Sequence, residues 1–287
     1  MMAYAFHIGI VLMVYIILVV SSHLLINVSR LISLGQAAFF GIGAYITALV
    51  AMGLGLSLIP ALLAVMLVNA SVAAMLAWPV MKLKGDYFIL ATLAFQFIVF
   101  SILYNWTAVT GGSLGVSGIP APEILPGVVV SGLPAFFAMT LIITVIVAFL
   151  FYKLQYSYFG LLVKAQRDSE PAMKAAGRDT QSTRVYIFVI SGAFIGVASY
   201  LYATYMSYIH PAGFNLEASI FILLAVFVGG TEKLRGAVMG AALIVLLPEF
   251  LRFARIPEHM AGHVNQIIFG LALIVLVIFK SKSLKPK

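Results

Sequence analysis

Nine apolar runs and a single long polar interruption limit what this chain can become. The runs lie near 6–27, 35–55, 58–81, 87–106, 134–153, 184–207, 218–230, 236–252 and 264–280. A helix crossing ~30 Å of hydrocarbon needs about 20 mainly apolar residues, and most of these runs reach that length. Of the 287 residues 63% are hydrophobic and 9% charged. A soluble globular domain carries roughly 25% charged residues, so the surplus apolar surface needs lipid as its solvent. Backbone amides inside lipid must be satisfied within their own segment, which favours helices. The expected fold class is therefore an all-α polytopic membrane protein, a bundle of about 8–9 transmembrane helices in one domain over 1–287. The seventh run is short and ends at Gly229-Gly230. It reads as a crossing or as a half-helix that re-enters the bundle.

The interruption, Leu154 to Thr183, carries Lys164, Arg167, Asp168, Glu170, Lys174, Arg178 and Asp179 and must lie outside the bilayer. Within it the residues spell a short helix over 169–176. Asp168 or Ser169 can cap the first turn, and Glu170 suits the positive end of its dipole. Pro171 is tolerated where first-turn amides have no intrahelical partner. Ala172, Met173, Lys174, Ala175 and Ala176 propagate the helix, and Gly177 supplies a left-handed stop. Such a capped helix on the face of a membrane protein is explained by docking to a partner.

Charge placement sets an expected orientation. If Lys82 and Lys84 are cytoplasmic, alternation puts Arg30, the 154–183 loop, Lys233, Arg235 and the C-terminal tail on that side too. Of the 17 Lys and Arg residues only Arg252 and Arg255 then fall outside. The 107–133 loop contains Glu123 and no Lys or Arg, as an external loop should. The N-terminus is expected outside and the C-terminus in the cytoplasm, in a multi-pass membrane protein. No Lys or Arg precedes Arg30, so the first run lacks the basic start of a cleaved signal peptide and is read as a retained helix. The pI near 9.6 reflects this flanking pattern rather than nucleic-acid binding.

Asp86, Glu217, Glu232 and Glu249 all fall near the ends of runs, which argues against a proton-coupled carrier. Energy must enter elsewhere, or the protein is a passive channel. The uncharged polar residues Gln36, Thr92, Gln96, Tyr202 and Tyr205 are candidates for a hydrophilic route. A buried side-chain amide such as Gln96 requires water or an interhelical partner. Gly192 and Gly196, Gly236 and Gly240, and Ala37 with Gly41 form small-residue steps that let helix backbones approach closely. The chain has no cysteine, its histidines (His259 and His263 among them) show no ligand set, and no nucleophile–base pair or phosphate loop occurs. No metal, cofactor or catalytic role is expected. The glycine-rich segment 110–120 reads as an exposed linker or an ordered cap.

Several segments together resemble the membrane permeases of branched-chain amino-acid ABC importers. They are Ser33-Leu-Gly-Gln-Ala-Ala-Phe-Phe-Gly-Ile-Gly-Ala-Tyr45, Lys84-Gly-Asp-Tyr87, Thr110-Gly-Gly with Gly-Val-Ser-Gly-Ile-Pro120, Val228-Gly-Gly, Arg235-Gly-Ala and Leu247-Pro-Glu-Phe-Leu-Arg252. The polar loop resembles that superfamily's "EAA" coupling element at Glu170, Ala172, Ala175, Ala176 and Gly177. Pro171 and Arg178 depart from it. The resemblance implies a second homologous permease subunit, two ATP-binding subunits that use ATP and Mg, and a periplasmic or lipid-anchored substrate-binding protein. Asp168, Ser169 and Arg178 complete the expected ATPase-coupling surface. Relatives that carry urea, amides or other amino acids share these motifs.

Overall fold

The computed structural model describes residues 2–253, except 84, 126, 231 and 232, together with residue 270. Six described helices are long and apolar enough to cross a membrane. They are α1 (Met2–His23, continued by a π-helical turn at Leu24–Val28), α2 (Gln36–Gly53), α3 (Leu58–Val80), α4 (Asp86–Asn105), α6 (Leu133–Tyr156) and α9 (Thr180–Met206). A one-turn helix, α5 (Thr107–Thr110), follows α4. Two short helices outside the spans, α7 (Tyr158–Asp168) and α8 (Glu170–Ala175), join α6 to α9. Beyond α9 come α10 (Leu216–Val228) and α11 (Leu234–Phe253).

The centre of the bundle is α9, which packs against α1, α2 and α3. Small residues permit this. A Cβ on Gly192 would press on Ala73, and one on Gly196 on Asn69 and Val65. On α2, Gly41 lies against Leu103 and Phe214. The hairpin of α10 and α11 is closer still: Gly240 packs on the Ala225 carbonyl, and Gly229 on the carbonyl of Gly236. Without a hydrophobic drive between helices in lipid, such close contacts supply the cohesion. The outer helices α3, α4 and α6 keep broad apolar faces exposed, including Leu67, Met75, Phe97, Ile98, Ile142 and Phe149.

The seventh run is a half-crossing. Met206 ends α9, and the chain turns back through Pro211–Phe214 to start α10 deep in the bundle. There the Ser219 hydroxyl donates to Gln96 Oε1 (3.0 Å), and Gln96 lies midway along α4. The other end of α10 places the Val226 carbonyl 2.9 Å from Asn27 Nδ2, at the end of α1. Non-helical backbone is tolerated at this depth because protein surrounds it.

Two ends of the bundle are thereby defined. Arg30, Asp86, Gln166, Glu170 and Arg184 line one cavity, and Lys82, Lys174 and Arg178 line a second that shares Glu170 and Arg184, so Arg30, Lys82 and the polar stretch gather at one end. Opposite them, Phe6 meets Phe137 and His7 meets Tyr205. The 107–133 segment is ordered there by two short antiparallel pairs, β1 (Val116–Ser117) with β4 (Tyr208–Ile209), and β2 (Glu123–Leu125) with β3 (Val128–Val129). The ninth run apart from residue 270, Arg255, His259, His263 and the basic tail lie outside the described residues.

Candidate functional site

The polar stretch is more structured than a loop holding one helix. Leu154 to Tyr156 finish α6, and an amphipathic helix, α7, precedes the expected one. Ser157 caps α7, its Oγ accepting from the Gly160 amide at 3.4 Å. The sequence did carry this signal: a capping Ser, then Phe159, Leu162, Val163 and Gln166 at helical spacing. Gly160, Val163 and Gln166 form the buried face. The absent side chain of Gly160 lets α7 lie directly on the Gln155 carbonyl, and the Lys164 ammonium sits 5.2 Å from the Tyr156 ring.

Asp168 accordingly ends α7 instead of capping the next helix, and its carboxylate accepts from Arg167 Nε (2.9 Å). Ser169 is the cap of α8, accepting from the Ala172 amide at 3.3 Å. At the far end Gly177 takes φ +71°. Its amide donates to the Lys174 carbonyl and the Arg178 amide to the Met173 carbonyl, each at 3.0 Å. That is the paired closure of a Schellman turn. Arg178 lies 5.8 Å from the Tyr158 ring, which links the end of α8 to the start of α7.

Of α8 itself only Met173 is buried. Pro171, Ala172, Ala175, Ala176, Gly177 and Arg178 are exposed and form a smooth, mostly uncharged surface. Glu170 points the other way. Its carboxylate accepts from Arg184 on α9 at 2.6 Å and from Lys174 at 3.0 Å, with the Thr180 hydroxyl at 3.4 Å. The Glu170–Arg184 pair is largely shielded, at 22% and 17% side-chain exposure. It therefore keeps much of the strength that surface ion pairs lose to solvent. Cavities of about 380 Å³ each lie on either side of this bridge. Asp179 caps α9, accepting from the Ser182 hydroxyl and from the amides of Ser182 and Gln181. These bonds, that of the Ser182 hydroxyl foremost, hold its carboxyl below the ordinary carboxylate range.

The five polar residues proposed for a route fall into two groups. Gln36, Thr92 and Gln96 come together where α2 and α10 begin, and all three are buried. Thr92 Oγ1 accepts from the Leu34 amide (3.1 Å), and Gln96 Nε2 donates to the Phe214 carbonyl (2.8 Å). Ser219 Oγ accepts from the Ala37 amide (2.9 Å). The last of these satisfies a first-turn amide of α2, which starts inside the bundle. Nε2 of Gln36 has no partner among the described residues. Tyr202 and Tyr205 lie towards the other end of α9, Tyr202 against Phe40 and Phe214, Tyr205 against Phe136 and His7. In the single chain these side chains hold helices together.

Comparison with known proteins bears on what this arrangement serves. A family model described as branched-chain amino acid transport system / permease component matches residues 4–277. The high-affinity branched-chain amino acid transport system permease protein LivM of Salmonella typhimurium is 29% identical, over 96% of this chain and 68% of that protein. A probable branched-chain amino acid transport permease protein LivM of Methanocaldococcus jannaschii is 26% identical, over 82% and 70%. The autoinducer 2 import system permease protein LsrC of Shigella flexneri is also 26% identical, over 73% and 58%. No solved structure matches. With the family match covering nearly the whole chain and the helical bundle it requires in place, the chain belongs to the family of branched-chain amino acid transport system permease components.

Proposed function

We propose that the chain is the transmembrane subunit of an ATP-driven ABC importer for branched-chain amino acids. It forms half of the translocation pathway beside a second homologous permease subunit. Two ATP-binding subunits dock on the α7–α8 end, which faces the cytoplasm, and a periplasmic or lipid-anchored binding protein delivers substrate to the opposite end. The protein sits in the cell inner membrane with its N-terminus outside, and ATP and Mg are held by the partners alone.

The observation that carries this reading is α8. A short, doubly capped helix offers a smooth outer face, while its inward carboxylate is bonded to the central helix α9. Displacing α8 therefore pulls on the bundle's core without unfolding either helix. A partner can drive access to one side only if its affinity differs between the two states. ATP-dependent closure of the docked subunits supplies that difference.

The test is reconstitution of the permease pair with the ATPase subunits and the binding protein in vesicles. Uptake of a labelled branched-chain amino acid is expected to require ATP and every component. Uptake that persists without the ATPase subunits makes the protein a passive channel and overturns the proposal. A second reading within the same class, import of urea, an amide, another amino acid or another small solute, is favoured by the LsrC likeness. Competition uptake with unlabelled solutes separates it.

A further inference from the structure

One of the two cavities beside the Glu170–Arg184 bridge has a chemical composition of its own. It measures about 380 Å³ and lies between the end of α1, the start of α4, α7 and α8. That is within the ~300–1,000 Å³ typical of small-molecule sites. Four charged side chains in its wall or beside it are already engaged, Arg184 with Glu170 and Arg167 with Asp168. Two others are not. Arg30 and Asp86 both line the cavity, and neither has a hydrogen-bond or ion-pair partner among the described residues. Arg30 also holds φ +57°, a strained conformation that a non-glycine residue keeps only where its surroundings impose it.

The rest of the wall is mainly apolar, with Leu31, Ile32, Phe88 and Val163, and also includes Ser29. The cavity thus offers one cation for an anion, one carboxylate for a cation, and an apolar wall.

We propose that this cavity binds a free zwitterionic α-amino acid with an aliphatic side chain, through which imported product restrains the coupling helix. Arg30 takes the carboxylate, Asp86 takes the ammonium, and the side chain lies on the apolar wall. The occupant rests against Glu170 and Arg184, so binding favours whichever state keeps that bridge in place. The idea rests on the importer reading with this end in the cytoplasm. A phosphatidylethanolamine headgroup bears the same pair of charges, and the experiment separates the two.

The complete transporter is reconstituted in vesicles with ATP inside and binding protein outside, and the initial rate of labelled uptake is compared between empty and L-leucine-loaded vesicles. Loading is expected to slow the wild type several-fold. In Arg30→Gln and Asp86→Asn the loaded-to-empty ratio is expected to approach one. Leucinol, which lacks the carboxylate, and 4-methylpentanoate, which lacks the ammonium, are expected to have no effect. A ratio near one in the wild type, or slowing that persists in both variants, overturns the proposal. So does a rate that follows the phosphatidylethanolamine content of the vesicles and ignores leucine, which assigns the cavity to lipid. If empty vesicles show no ATP-driven uptake, the importer reading falls. Saturation-transfer NMR of L-leucine with the permease pair in nanodiscs, wild type against Asp86→Asn, then decides the site by itself.

Discussion

Segments 107–133 and 154–183 flank α6, lie at opposite ends of the bundle, and are ordered by opposite means. The first is held by backbone. Gly111, Gly112, Gly115 and Gly118 all take positive φ. The Val116–Ser117 strand pairs with Tyr208–Ile209, and the amides of Gly118 and Ile119 both donate to the Ser207 carbonyl. The Tyr208 hydroxyl donates to the Leu114 carbonyl at 3.0 Å, and His210 Nε2 lies 2.9 Å from that of Ser113. The second segment is held by side chains: Glu170 to Arg184, Gln166 to the Thr180 carbonyl, Arg178 over Tyr158. A backbone zipper is cooperative and yields all at once. A few side-chain bridges between intact helices can stretch and swivel. The first construction suits a fixed cap, the second a lever, and each prediction below tests that division.

The largest effect is expected at the cap. A Cβ on Gly115 would strike the Ile209 carbonyl, at a residue whose φ is +72°. Gly115→Val therefore combines backbone strain with a clash against backbone, and is expected to lower stability by about 3 kcal/mol or more. Thermal melting of the detergent-solubilised protein reads this directly. An unchanged melting temperature would show that the segment is not zippered.

At the lever, Glu170→Gln keeps the shape and removes the charge opposite Arg184 and Lys174. Losing charge-assisted hydrogen bonds of this kind weakens the link by about 1.5–3 kcal/mol. Under the proposed reading ATP-driven uptake falls roughly tenfold or more, since ~1.4 kcal/mol is a factor of ten. The melting temperature is expected to move by only a few degrees, and ATP hydrolysis to continue. A fall in melting temperature as large as that of Gly115→Val would make the bridge a structural staple and erase the contrast between the ends.

The sequence is legible where one local signal decides the outcome. The six long apolar helices follow from run length, and the ends of α8 from Ser169 and Gly177, because caps are local chemistry. What escaped is long-range. The inward attachment of Glu170 depends on Arg184, 14 residues away and across a turn. The half-crossing α10 depends on Ser219 meeting Gln96 over 123 residues. Nothing around Gln96 alone tells whether its amide meets water or the Phe214 carbonyl. Helix α7 was legible in principle, from Ser157 and the Phe159, Leu162, Val163, Gln166 spacing, but its mixed polarity reads as loop beside such apolar neighbours.

A smaller effect is expected from the caps of α8. Ser169→Ala removes the acceptor for the Ala172 amide and is expected to cost this helix about 1 kcal/mol. Gly177→Ala meets no neighbour within 4 Å, so its cost is the positive φ alone, again about 1 kcal/mol. Both are expected to raise hydrogen exchange in α8 while leaving α7 unchanged. Exchange rising equally in both would mean that the two helices form one unit and not a jointed lever.

The smallest effect separates the ends by pH. Asp179 caps α9 through the Ser182 hydroxyl and the Ser182 and Gln181 amides, which hold its carboxyl below the ordinary range. A carboxyl depressed in the folded state contributes stability above its unfolded pKa of about 3.9 and loses it as the pH falls through the lower, folded value. The junction of α8 and α9 is therefore expected to loosen only below about pH 4. Asn also caps helices but does not titrate here, so Asp179→Asn provides the reference. The difference in melting temperature between wild type and variant is expected to be constant from neutral pH to about 5 and to drift against the wild type below 4. A wild-type-to-variant difference that stays flat down to pH 3 would show that Asp179 is not held ionised by its cap. Acid would then fail to distinguish the lever from the cap.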